Sequence, residues 1–122
     1  MATQRVLVGQ KAENIAAASL VKRGYTILDN NYRKPWGELD LVASKNGVVI
    51  FVEVKSNSVG FRGFEPELRA NAGKRLKIIR TARTYLIERN LTDQPWQIDI
   101  ISVTFHAEKG IARITHFKNI EI

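Results

Sequence analysis

The run Gly37-Glu38-Leu39-Asp40-Leu41-Val42-Ala43-Ser44-Lys45-Asn46-Gly47-Val48-Val49-Ile50-Phe51-Val52-Glu53-Val54-Lys55 decides the fold. Leu39 to Ala43 and Val48 to Val54 are rich in β-favouring residues, and Asn46-Gly47 between them supplies the two positive-φ positions of a type I′ turn. The run therefore reads as a β-hairpin. Side chains alternate along a strand, so Glu38, Asp40 and Val42 should share one face, as should Val49, Phe51, Glu53 and Lys55. With Asn46-Gly47 as a two-residue turn, Lys45 pairs with Val48. Counting outward sets Val42 opposite Phe51, Asp40 opposite Glu53 and Glu38 opposite Lys55.

Opposed residues on antiparallel strands have Cβ atoms about 4.5–5.5 Å apart, so an Asp40–Glu53 pair destabilises the sheet unless something neutralises it. Val42, Phe51, Val52 and Val54 around the pair add a desolvation penalty. A raised pKa or a bound divalent cation would relieve both effects. Magnesium, or manganese in its place, suits an all-oxygen site built on one or two carboxylates plus waters. The bland alternative is a solvated hairpin face with Glu38 and Lys55 as a surface ion pair, which would contribute little. Against it, Val48-Val49-Ile50-Phe51-Val52 is apolar on both faces, the pattern of a strand buried on both sides.

Working outward, Val8, Ala12, Ile15, Ala16, Ser19 and Leu20 recur at helical spacing from about Gln4 to Arg23, and Gly24 provides a stop. Gly9, Ala12, Ala16 and Ala17 would let this helix approach the strands closely. Glu13, at the border of its packing face, either points toward the hairpin acids or is an ordinary solvated glutamate. Tyr25 to Tyr32 reads as a short strand running into a polar bend at Asp29-Asn30-Asn31, and Ser56 to Glu67 as a loop. A second helix is expected over Leu68 to Asn90, with Ala72, Leu76, Ile79, Ala82 and Leu86 as its packing stripe. Lys74, Lys77 and Arg80 should lie on the opposite, basic side. Trp96 to Phe105 and Ile111 to Phe117 read as two more strands, giving the order α-β-β-β-α-β-β.

The 122 residues match one domain, 1–122, with no internal repeat or linker. No apolar run reaches the roughly 20 residues of a membrane span, and Arg5 and Lys11 interrupt any signal-peptide core, so a cytoplasmic protein is expected. Without cysteine, thiolate metal sites are excluded, and two histidines cannot build a histidine-rich zinc site. The formal net charge of +7 favours a polyanionic partner, nucleic acid first, and the excess concentrates on the second helix. Asp99, inside a strand, could serve a metal, but pairing with an arginine of the second helix is the favoured reading. His106 and His116 are assigned loop or surface roles. Trp36 could stack on a base or sugar, or simply pack at the strand entrance.

Glu13, the Gly37-Glu38-Leu39-Asp40 motif and Glu53-Val54-Lys55, in this order, resemble the YraN-like family of small bacterial proteins. The resemblance runs through residues 9–28, 30–43, 48–55, 73–86 and 97–103. That family is similar to Holliday junction resolvases and other restriction-endonuclease-like nucleases of the PD-(D/E)xK type. The resemblance implies an α/β fold with a restriction endonuclease-like αβββαβ core, a mixed central sheet flanked by helices, and an extra C-terminal strand. It also implies catalytic roles for Glu13, Asp40, Glu53 and Lys55, with Glu13, Asp40 and Glu53 around Mg2+ or Mn2+. Lys74 matches the family's basic residue opening the second helix, a phosphate contact, with Lys77 and Arg80 beside it. Glu38 also falls in the motif. Ser56 and Asn57 replace the small residue and arginine that usually follow the E-x-K lysine, which removes one expected phosphate contact.

Two functions follow as expectations. The first is a magnesium-dependent endonuclease hydrolysing DNA phosphodiester bonds, at branched or distorted DNA, in repair or recombination; a symmetric junction would call for a homodimer. The second is a non-catalytic nucleic-acid-binding or protein-interaction module that keeps the nuclease shape.

Overall fold

The computed structural model describes residues 4–58 and 72–120. Helix α1 (Gln4–Lys22) leads into three antiparallel strands, β1 (Thr26–Lys34), β2 (Gly37–Lys45) and β3 (Val48–Ser58). Helix α2 (Ala72–Glu88) follows, then β4 (Trp96–His106), a 3₁₀ turn at Ala107–Lys109, and β5 (Ile111–Phe117). The strands form one sheet in the order β1-β2-β3-β4-β5, in which β3 and β4 are parallel and every other pair antiparallel. Parallel neighbours need a crossover, which is why α2 stands between them in sequence. The element order is the expected one, β5 being the added C-terminal strand.

Among the described residues, each face of the sheet carries one helix. On one side Ala12, Ala16 and Leu20, spaced four apart on α1 and fully buried, meet Leu41, Ala43, Ile50, Val52, Ile101 and Val103. The two alanines present no bulk, so α1 lies close against the strands. On the other side Ala82, Tyr85 and Leu86 of α2 pack on Val42, Val49, Phe51 and Ile98. Tyr85 meets Phe51 edge-on, with ring centroids 5.8 Å apart at 85°, a geometry that adds about 0.5–1.5 kcal/mol beyond area burial. Because β3 is covered on both sides, Val49, Ile50, Phe51 and Val52 are all buried.

The hairpin turn forms as expected, with Asn46 and Gly47 at φ 52° and 79° and Lys45 opposite Val48. Val42 faces Phe51 in the predicted register, but the β2–β3 ladder ends at Leu41–Val52. The expected Asp40–Glu53 and Glu38–Lys55 cross-strand pairs therefore do not form. The cause lies on both strands of the β1–β2 pair. Asn31 adopts φ 51°, the left-handed conformation that asparagine tolerates better than most residues, at the rung opposite Asp40. Tyr32 and Leu39 pack on the α2 side, whereas Leu41, two residues along β2, packs on the α1 side. Both strands thus switch faces at the Asn31–Asp40 rung, and Asp40 is reached from both sides, lining the cavity under α2 and meeting Glu13 of α1. The expected bend at Asp29-Asn30-Asn31 is instead this irregular stretch of β1, which continues to Lys34.

Helix α2 also differs from its reading. Ile79, Ala82 and Leu86 pack as expected, whereas Ala72 is exposed and Leu76 is 67% exposed, and Ile78, Thr81 and Tyr85 complete the stripe in their place. Lys74, four residues before Ile78, extends this stripe toward the N-terminus instead of lying opposite it. Residues 59–71, holding most of the expected loop and the first part of the expected helix, lie outside the described residues.

Candidate functional site

Gly37 starts β2 directly beneath α2. A Cβ there would fall inside contact distance of Thr81 Oγ1 and 3.3 Å from the Lys77 carbonyl oxygen. Only glycine lets strand and helix meet this closely, and the approach brings the first turns of α2 over the ends of β2 and β3. Beneath lies a pocket of about 270 Å³ between Asp40, Glu53, Lys74 and Lys77, floored by Phe51 and Ile98. The structure thus brings Asp40, Glu53, Lys74 and Lys77 of the expected site together around one cavity.

Past the end of the ladder, Asp40 uses its side chain where the backbone stops pairing: Oδ2 accepts the Val54 N–H at 2.8 Å. Burial pushes its pKa up to about 7; the Val54 hydrogen bond opposes this, and the neighbouring Glu13, Glu53 and Glu38 carboxylates add to it. Glu13 reaches the same place from α1, hydrogen-bonded to both Asn31 and Asp40. Its pKa is also raised, first by burial and then by Glu38, against those hydrogen bonds and Arg33. The helix-one glutamate therefore points toward the hairpin acids. Glu38 lines the same cavity and pairs with Arg33, 3.4 Å distant at an exposed position.

Glu53 carries an asymmetric environment. Its Oε1 lies 2.9 Å from Lys55 Nζ and 3.4 Å from Lys74 Nζ, while its Oε2 is buried and, among the described residues, has no hydrogen-bond partner. A buried carboxylate oxygen without a donor is costly, by about 1–3 kcal/mol or more, and calls for a cation or water. Among the described residues, no three Asp, Glu or His side chains stand close enough to hold one ion between them. What the arrangement offers is two acids, Asp40 and Glu53, with Glu13 joined to the first and two lysines to the second.

Arg80, expected among the phosphate contacts, lies 4.1 Å over the Trp36 ring. Trp36 is thus stacked by a side chain of the protein itself, and its buried Nε1 has no partner among the described residues. Asp99 corrects the sequence reading: it is fully buried on β4 and bonds His116 Nε2 at 2.7 Å, the Asn119 N–H at 2.8 Å and Gln97 Nε2 at 2.9 Å, in place of an arginine of α2. Burial raises its pKa, but these donors outweigh it and hold the carboxyl below its usual range. His116 has a side chain only 8% exposed, so it is not a surface residue. Arg23, which can only donate, lies 3.0 Å from its Nδ1, and its Nε2 faces Asp99. A period-two count places Asp99 and His116 on strands but gives no hint of their pairing, since 17 residues separate them. His106, expected in a loop, ends β4, and its Nε2 is buried without a partner among the described residues.

Compared with known proteins, residues 12–103 match the model of the uncharacterised protein family UPF0102. The chain is similar to a UPF0102 protein of Syntrophotalea carbinolica, 39% identical over 117 residues covering 96% of this chain and 93% of the relative. One from Campylobacter fetus is 37% identical over 94% of this chain and 99% of the relative. A third, from Desulforapulum autotrophicum, is 36% identical over 98% and 96% of the two chains. No described helix is long and apolar enough to cross a membrane.

Proposed function

This chain belongs to the UPF0102 family, and from that premise we propose that it is a divalent-metal-dependent endonuclease that hydrolyses nucleic-acid phosphodiester bonds, DNA first. The observation that carries the reading is the buried, unpartnered Glu53 Oε2 beside an Asp40 held half-protonated near neutral pH. A buried carboxylate oxygen that lacks a partner among the described residues, in a cavity walled by lysines, fits a hard cation that also meets phosphate. Asp40 and Glu53 would hold a Mg2+ or Mn2+ ion, with Glu13 acting through its contact to Asp40 and through water. When bound, the ion lowers the pKa of a coordinated water and polarises a phosphoryl oxygen.

The protein's own groups supply the rest. Lys55 stands where a cation can offset charge developing on the phosphoryl oxygens. Lys74 and Lys77, at the start of α2, grip the neighbouring phosphates, and the low-polarity floor of Phe51 and Ile98 limits water that would screen them. Asp40 gives up its proton when the cation arrives, so metal loading and proton release go together. Purified protein incubated with four-way, flap and linear DNA and magnesium or manganese should cleave, and Glu53→Gln or Lys55→Ala should abolish cleavage. Absence of cleavage on all of them with either metal would refute the assignment.

One observation favours the second reading, a non-catalytic nucleic-acid-binding module: Glu53 Oε1 is already neutralised by Lys55 and Lys74 with no metal needed. That reading predicts salt-sensitive DNA binding unchanged by EDTA and by Asp40→Asn. Isothermal calorimetry with Mn2+ separates the two, since only the nuclease has a metal site that Asp40→Asn weakens.

A further inference from the structure

On the α1 side of the sheet, next to the site, a second cleft of about 290 Å³ is lined by the carboxamides of Gln10, Asn14, Asn30 and Asn31, by Glu13, and by the buried Leu41. Gln10 and Asn14 lie one helical turn apart on α1, and Asn30 and Asn31 face them from the stretch of β1 that switches faces. Glu13 belongs to this cleft and also contacts Asp40, so the cleft and the reactive centre share a wall.

The chemistry of the lining selects among the parts of a nucleotide. Among the described residues no lysine or arginine lines the cleft and Glu13 does, so a phosphate is repelled. Asn31 is already bonded to Glu13, and the carboxamides of Gln10, Asn14 and Asn30 each carry donors and an acceptor in one plane, the pattern that pairs with the edges of nucleobases. The apolar floor at Leu41 and Ala17 suits the face of a ring. The volume sits at the low end of the roughly 300–1,000 Å³ typical of small-molecule sites, room for one base and not for a base pair.

We infer that this cleft seats a single unpaired nucleobase next to the phosphate gripped by Lys74 and Lys77 in the cavity of Asp40 and Glu53. The inference rests on the nucleic-acid reading above and deepens it. The preferred substrate is nucleic acid with an unpaired base beside the cleavage point, such as a flap, a bulge or the open centre of a junction, and intact duplex is disfavoured. A base still stacked in a helix cannot reach the carboxamides without leaving its partner, and that unpairing is least costly where no partner exists.

The test needs no catalysis. Three DNAs are compared by fluorescence anisotropy in EDTA: a duplex with one bulged 2-aminopurine, the same duplex with an abasic site at the bulge, and the fully paired duplex. Wild type should bind the bulged base on the order of tenfold more tightly than the abasic bulge, with a change in 2-aminopurine emission. Gln10→Leu/Asn14→Leu, two exposed positions outside the metal site, should erase both the preference and the emission change while leaving duplex affinity as it was. Equal affinity for base and abasic bulge, with no emission change, would overturn the base cleft and leave the nuclease reading standing. Failure to bind any of the three DNAs at low salt would overturn both.

Discussion

Replacing Asp40 by asparagine should make the metal-free protein more stable at alkaline pH, and the size of the effect follows from its carboxyl. The folded-state pKa is about 7 against 3.8 for the free group. A raised carboxyl pKa means that the folded state binds the extra proton, so the stabilisation is present at low pH and lost as pH rises through 7. For that pair of values, proton linkage gives about 3 kcal/mol at pH 5 and close to none at pH 8, so wild type should lose roughly 2–3 kcal/mol across this window from Asp40 alone. The carboxamide of the Asp40→Asn variant cannot ionise, and it still offers an oxygen to the Val54 N–H. Urea unfolding in EDTA at half-unit steps from pH 5 to 8 reads the difference between the two proteins, which cancels every other titrating group not coupled to Asp40. The variant's curve should fall less steeply than that of wild type. Parallel curves would refute the account of a desolvated, proton-holding Asp40. Saturating Mg2+ should recover stability for wild type at pH 8, and little for the variant.

Further outcomes follow from individual contacts. Gly37→Ala should destabilise by about 1–3 kcal/mol through overpacking against Thr81, and the loss should shrink in a Thr81→Ala background; equal losses in both backgrounds, measured by urea midpoints, count against the close strand–helix approach. His116→Ala removes one of the three donors to the fully buried Asp99 carboxylate and should lower stability by about 1.5–3 kcal/mol, with Asp99→Asn/His116→Ala milder than the single change. A His116→Ala loss under about 1 kcal/mol contradicts the pairing. Lys74→Met should weaken binding to every DNA alike and reduce the slope of log affinity against log salt by about 1, read from anisotropy titrations in EDTA. An unchanged slope removes Lys74 from the phosphate contacts.

Most of the architecture is local in sequence and legible there. Asn46-Gly47 fixes the hairpin, the alanines of α1 mark its sheet-facing side, and the doubly apolar β3 announces a central strand. What escapes has one physical origin in the hairpin: side-chain alternation is read along a strand, and a single left-handed residue resets it. Asn31 carries no sign in the sequence that it will adopt φ 51°, so the rung count fails past Leu41 although the acids it points to are the ones that gather. The α2 stripe is misread because Tyr85 and Thr81, both polar by type, are buried, while the more apolar Leu76 is exposed. The partnership of Asp99 with His116 depends on the pairing of β4 with β5 and on the returning C-terminal segment at Asn119, which no short-range pattern encodes.

A β-sheet ordinarily partitions a protein into two compartments, and groups on its two sides cannot meet. At the Asn31–Asp40 rung this sheet has a window. Through it Glu13, from the helix on one side, touches Asp40, while Lys74, from the helix on the other, touches Glu53. The frame of that window is set by how many residues separate the strand ends from Asn31 and from Asp40, and much less by which residues they are. Relatives should therefore vary freely in the identity of neighbouring β1 residues yet resist any insertion or deletion there. Between Ile27 and Asp29 β1 carries one residue more than β2, and removing it should turn Thr26 and Ile27 to the opposite face of the sheet.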